Sequence, residues 1–281
     1  MRMVTAREGT EVAVHHLGGE GPPMVLAHAT GFCGPVLAPL AAELASDFTC
    51  IAFDLRGHGD SGLGSDLRFD WAGFALDVEA VVEGLGLERP LGFGHSCGGA
   101  ALLLAEQGHR GLLGGLFCFE PIVLAPGPNP EEGHNSLAAA ARRRRETFSS
   151  REAAYANFAS KAPFASFDPR ALRAYVEHGF VETGEGGVRL KCRREHEAAM
   201  FEMSRRHDAF VHLGEVSCPV TVACGGESTT MGPPASATLA SRLPLGRLEV
   251  LPGMGHLAPL EHPAAVAASM RRAFRGSLRR G

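Results

Sequence analysis

The chain has 281 residues, enough for one large α/β domain or two small ones. Apolar residues make up 45% and charged residues 21%, a globular composition, and a net charge of −4 gives no basis for nucleic acid as a partner. The seven cysteines (Cys33, Cys50, Cys97, Cys118, Cys192, Cys218 and Cys224) are odd in number and lack a C-x-x-C spacing, so they read as buried, reduced thiols.

In chain order, the start from Met1 to Val14 carries Arg2, Arg7 and Glu8 and lacks the apolar stretch of a secretory signal. No run reaches the roughly 18 apolar residues of a membrane span, so a soluble, cytoplasmic protein with no membrane partner is expected. A hairpin is predicted from Met3–Ala6 and Val12–His15 around Arg7-Glu8-Gly9-Thr10. Strand-like runs follow at Met24–Ala27, Thr49–Phe53, Leu91–Phe93, Leu116–Phe119, Val220–Cys224 and Leu248–Leu251. Helical patterns lie between them at Val36–Ser46, Trp71–Leu85, Cys97–Gln107, Ala235–Leu243 and Ala264–Phe274. This alternation predicts βαβ units and a mainly parallel sheet.

One interval breaks the alternation. From Pro121 to Val216 only helix-like segments are read, at Ser136–Phe148, Ser150–Ser160, Pro169–Phe180 and Arg193–Arg206. Nearly a hundred residues are too many for a loop, so a helical cap over 121–216 is expected, inserted into a core of 1–120 and 217–281. The run Arg142–Arg145 reads as a solvated helix face, with recognition of an anion as the alternative.

The segment Gly94-His95-Ser96-Cys97-Gly98 fits G-x-S-x-G between a strand and a helix, the context in which a serine sits on a tight turn with its hydroxyl presented. Ser96 is therefore the candidate nucleophile. His256, in Gly253-Met254-Gly255-His256 directly after the last strand, is its candidate base, with His262 a distant second.

These motifs, with His28-Ala29-Thr30-Gly31-Phe32, Asp54-Leu55-Arg56-Gly57-His58-Gly59-Asp60-Ser61 and Leu260-Glu261-His262-Pro263, resemble the α/β-hydrolase family over essentially the whole chain. The resemblance implies a mostly parallel eight-stranded sheet flanked by helices, a cap after the sixth strand, and a nucleophile–acid–histidine triad. Two departures stand out. Ala29 replaces the usual glycine after His28; by position the oxyanion donors are the backbone N–H groups of Thr30 and Cys97, with Phe32 the alternative to Thr30. The loop after the seventh strand, Cys224-Gly225-Gly226-Glu227-Ser228-Thr229-Thr230, has Ser or Thr where most members carry Asp. The acid is therefore expected at Glu120, which ends the sixth strand, a position some relatives use; Glu227 is the alternative. A carboxylate closing a buried strand needs a charged partner, and His256 would supply one.

Together these features imply a carboxylic-ester hydrolase acting through an acyl-enzyme on a small, hydrophobic acyl substrate, with no metal or organic cofactor. Thioester or C–C bond hydrolysis and acyl transfer on the same triad are the alternatives, and a non-catalytic ligand-binding protein is a remote one. Asp54, Arg56, His58 and Asp60 are expected to be structural, His28 and His95 supporting, and Trp71, Phe148, Tyr155 and Phe158 packing residues, with some of the cap aromatics lining the pocket as the alternative.

Overall fold

Apolar runs bounded by glycine and proline become the strands of the protein's computed structural model, which describes residues 1–64, 70–127, 135–184 and 186–275. The chain opens with antiparallel β1 (Arg2–Thr5) and β2 (Glu11–Gly18). It continues through β3 (Pro23–Ala27), α1 (Ala38–Leu44), β4 (Thr49–Phe53), α2 (Trp71–Gly84), β5 (Leu91–His95), α3 (Cys97–Gly108) and β6 (Gly115–Phe119). A long segment carries α4 (Ser136–Arg142), β7 (Thr147–Phe148), α5 (Arg151–Ala159), α6 (Pro169–His178), β8 (Phe180–Glu182), β9 (Val188–Leu190) and α7 (Arg194–Glu202). The chain then returns through β10 (Val220–Gly225), α8 (Pro233–Arg242), β11 (Gly246–Leu251), α9 (Ala258–Glu261) and α10 (Pro263–Phe274).

The described residues form an eight-stranded sheet in the order β1-β2-β4-β3-β5-β6-β10-β11, parallel from β4 onward, as the alternation predicts. Successive residues of a strand point to opposite faces, and both faces here are covered. Val25 and Ala27 of β3 therefore enter the core beneath α2 and α3, with Phe74, Val78 and Leu102. Met24 and Leu26 enter the other core beneath α1 and α10, with Phe93, Phe117, Leu40 and Met270. All seven cysteines are unpaired and buried. No helix among the described residues is long and apolar enough to cross a membrane.

The interval after β6 departs from the expectation of helices alone. Thr147–Phe148, Val188–Leu190 and Phe180–Glu182 pair antiparallel as a small sheet, β7-β9-β8. The predicted helices Ser136–Phe148 and Pro169–Phe180 consequently stop early, at Arg142 and His178. Strands of two and three residues are too short to display a period of two, which is why the sequence hides them.

The loop after β4 is organised by a buried carboxylate. Asp54 accepts from the N–H of Gly34 (2.6 Å) and of Asp60 (2.9 Å) and lies 2.9 Å from His15 Nε2. Gly59, at φ +49°, passes so close to Asp54 that a side chain there would collide with it. Arg56 pairs with buried Asp77 (2.8 Å) and with Glu8. The Asp54→Asn variant removes the charge from three partners at once. It should lower stability by roughly 3 kcal/mol in urea unfolding at neutral pH, and a loss below about 1 kcal/mol would contradict this account.

Candidate active site

Ser96 occupies the turn between β5 and α3 with φ +56° and ψ −116°, a conformation that costs a non-glycine residue about 1–3 kcal/mol. The surroundings hold it there. Its N–H donates to Phe119 O (3.0 Å), and its carbonyl accepts from Ala100 N–H and Ile122 N–H (both 3.2 Å). The turn closes only because neighbouring residues lack side chains. A Cβ on Gly94 would stand 2.5 Å from Gly99 Cα, one on Gly99 would stand 2.8 Å from Pro121 Cβ, and one on Gly98 would collide with the carbonyl of Ala27.

Glu120 follows β6 at φ +45° and is fully buried. Its carboxylate collects four donors: Gly225 N–H (2.9 Å), the Ser228 hydroxyl (2.7 Å), Met231 N–H (3.2 Å) and His256 Nδ1 (2.7 Å). Burial alone would raise its pKa, but the bond to His256 and its charge, with the bonds from Gly225 and Ser228, hold it below the ordinary carboxylate value. Glu227 is exposed on the same turn, and its side chain makes none of these contacts. Ser228, in the loop where the resemblance implied an acid, instead donates to Glu120.

His256 lies in the loop between β11 and α9. The carboxylate at Nδ1 fixes its tautomer and leaves Nε2 with a lone pair. Its ring stands 5.0 Å from that of His95, the residue before Ser96. The sequence-predicted residues thus gather at the carboxyl ends of β5 and β6, although among the described residues Ser96 Oγ makes no hydrogen bond to His256. Such bonds often tighten only with substrate in place.

Beside Ser96 runs the loop after β3. Phe32 N–H donates to Ala29 O (3.2 Å) and Gly31 N–H to His58 Nε2 (3.0 Å). The Phe32 N–H, the alternative donor, is thus already engaged by a backbone carbonyl, whereas the Thr30 N–H and hydroxyl lie beside the Cys97 thiol. Two neutral histidines brace the loop: His28 bonds Ala29 O (2.8 Å) and accepts from Leu55 N–H (3.1 Å), and His58 bonds Arg56 O (3.1 Å). Burial pushes His58 down to about 3 and lowers His28 as well. Cys97 begins α3, and burial pushes its thiol up to about 12, so its backbone, not its sulfur, is available for chemistry.

The segment after β6 closes over this loop. The Phe32 ring meets Tyr175 (5.3 Å), Phe167 (5.8 Å) and Phe164 (6.1 Å). Arg144 corrects the reading of a wholly solvated arginine run. Its neighbour Arg142 is exposed in pairs with Glu195 and Glu202, but Arg144 turns inward to Glu197 (2.5 Å) and the Tyr175 hydroxyl, under the rings of Phe158 and Phe164. Glu197 in turn lies against Gly31, where a Cβ would approach it to 2.6 Å. Phe164, Phe167 and Tyr175 escaped the sequence reading. The spacing of buried Ala171, Leu172, Tyr175 and Val176 in α6 was the available signal for the last. Phe148 and Trp71 are packing residues as expected, Trp71 donating to Met203 O (2.8 Å).

Far from this site, Glu79, Glu83 and His109 bring possible metal-ligand atoms within 4.8 Å of one another. Arg7 already pairs with both carboxylates, at 3.3 and 3.0 Å.

A sequence model of the alpha/beta hydrolase family matches residues 24–269. The 2-(acetamidomethylene)succinate hydrolase of Mesorhizobium japonicum is 26% identical over 242 residues, covering 85% of this chain and 82% of that protein. Among solved structures, an E-2-(acetamidomethylene)succinate hydrolase aligns with a TM-score of 0.82 at 23% identity, over 98% of each chain. A thermophilic esterase from Thermogutta terrifontis aligns at 0.74, also with 23% identity and 98% of each chain.

Because its folded pKa is lowered, Glu120 adds stability that is fully present above the unfolded carboxyl value of about 4.3 and is lost as pH falls through the folded value. The Glu120→Gln variant should therefore lose less stability than wild type between about pH 5 and pH 3. Equal losses in denaturant unfolding at those pH values would refute the assignment of that lowered pKa.

Proposed function

The chain belongs to the alpha/beta hydrolase family, and from that premise we propose that it is a serine hydrolase cleaving a carboxylic ester or related acyl bond through Ser96, His256 and Glu120. One observation carries the reading: a buried carboxylate with four donors bonds His256 Nδ1 at 2.7 Å, beside a serine strained onto a strand–helix turn.

In the first half-reaction His256 Nε2 takes the proton from Ser96 Oγ as that oxygen attacks the substrate carbonyl. The carbonyl oxygen becomes an oxyanion and accepts from the N–H groups of Thr30 and Cys97, the latter at the positive end of α3. Glu120 stabilises the imidazolium, which then gives its proton to the departing alkoxide, leaving an acyl-enzyme. In the second half, water loses a proton to His256 and attacks the acyl carbon. Collapse of that intermediate breaks the Ser96 ester, returns the proton to Oγ and frees the acid. No step calls on a metal or organic cofactor.

We take residues 121–216 as the cap and its aromatic face, Phe164, Phe167 and Tyr175 against Phe32, as the acyl-binding wall. That surface suits a hydrophobic acyl group. Hydrolysis is preferred over acyl transfer because the related proteins named above are hydrolases or esterases, two of them named for a succinate derivative. The seven unpaired, buried thiols suit a cytoplasmic setting.

Intact-mass spectrometry after exposure to a fluorophosphonate tests the triad. One label per chain is expected, none on Ser96→Ala, labelling slowed on the order of 10³-fold or more in Glu120→Gln, and near-normal labelling in Glu227→Gln. A folded wild type that resists even a small organophosphate, or a Glu120→Gln variant that labels normally, would refute this reading. With p-nitrophenyl esters, each methylene added to the acyl chain should raise kcat/KM by about 4-fold until the wall is filled. A flat series would exclude an apolar acyl site.

A further inference from the structure

The loop that carries the base is held to the sheet by few bonds. Between β11 and α9 it is half exposed at Met254 to Leu257, and Met254 O accepts from Glu227 N–H (3.0 Å). The carbonyl of His256 itself has one donor among the described hydrogen bonds, His95 Nε2, at 2.9 Å. His95 ends β5 and is fully buried, its ring edge-on to Phe119 (5.9 Å), the residue before Glu120. One imidazole therefore touches all three parts of the site: it adjoins Ser96 in sequence, packs on the neighbour of Glu120, and bonds the main chain of His256.

We propose that His95 is a positioning residue, whose Nε2–H holds the His256 backbone so that the imidazole, tied to Glu120 at Nδ1, presents Nε2 to Ser96. The proposal rests on the serine-hydrolase reading given above. Two features support a role beyond filling space. Burial, with the nearby His256, pushes His95 down to about 3, so the ring is neutral and Nε2–H is its single donor. Its other nitrogen, Nδ1, is buried and has no hydrogen-bond partner among the described residues. A buried orphan acceptor is unfavourable, and an apolar side chain would avoid it. The residue that stands there instead spends its one N–H on the backbone of the base.

The test separates the donor from the bulk of the ring. Glutamine carries an N–H as many bonds from Cα as histidine Nε2, whereas the asparagine amide is one bond shorter, and leucine has no donor. In folded variants, checked by thermal melting and near-ultraviolet circular dichroism, His95→Gln should keep fluorophosphonate labelling within a few-fold of wild type. His95→Leu and His95→Asn should slow it on the order of 100-fold, the scale of a misplacement of about 1 Å. With a p-nitrophenyl ester the loss should appear in kcat, with KM little changed. Should His95→Leu fail to fold, the Asn and Gln pair, both polar and neutral, carries the comparison. A folded Leu variant that labels at the wild-type rate, or equal losses in Asn and Gln, would overturn the proposal while leaving the triad intact. A folded wild type that takes no label from either probe would overturn both.

Discussion

The arrangement depends on a buried negative charge, the carboxylate of Glu120 at the end of β6. In an interior this apolar a lone carboxylate would be neutralised by a raised pKa. It stays ionised because the chain delivers four donors to it, two from backbone N–H groups around β10, one from a serine hydroxyl and one from an imidazole. Each donor belongs to a different position along the chain, so the charge draws together the end of β6, the turn after β10 and the loop after β11. The positive φ of Glu120 is the strain accepted to aim the carboxylate into that gathering point.

The neighbouring histidines obey the opposite rule. His28, His58 and His95 are all buried without a carboxylate partner, and all are held neutral. His28 and His58 then each serve as a fixed donor and acceptor bracing the loop after β3, while His95 donates to the carbonyl of His256. The histidine bonded to Glu120 is also the one with some exposure to solvent. A single residue type thus divides into buried neutral braces and a partly exposed ring bonded to a carboxylate, which a count of histidines does not disclose.

Much of this was legible in the sequence, because its causes are local. The central strands are short apolar runs with breakers at both ends, and the glycines around Ser96 mark a turn that no side chain would permit. Glu120 drew notice because it terminates an apolar strand, and Glu227 competed only because contacts across β10 are not visible in one dimension. The small β7-β9-β8 sheet left no periodic trace. Arg144 looked like its three neighbours, since what distinguishes it is a partner more than fifty residues away, Glu197, and aromatic rings from two other elements. Local rules picked out Ser96, Glu120 and His256, whereas the aromatic cluster around Phe32 and Tyr175 arises from long-range contacts.

Glu120 and Ser96 stand at the ends of adjacent strands, β6 and β5, rather than on strands separated by a third. Neighbouring strands keep a pitch of about 4.8 Å fixed by their ladder of hydrogen bonds. The Ser96 N–H to Phe119 O bond extends that ladder into the turn itself. The offset between the two residues is thus a repeat distance of the sheet, shared with every other strand pair, and not a dimension of a loop. Loops can lengthen, shorten or fluctuate nearby, and the segment after β6 can be remodelled, while the rungs between β5 and β6 continue to gauge the separation of Glu120 and Ser96.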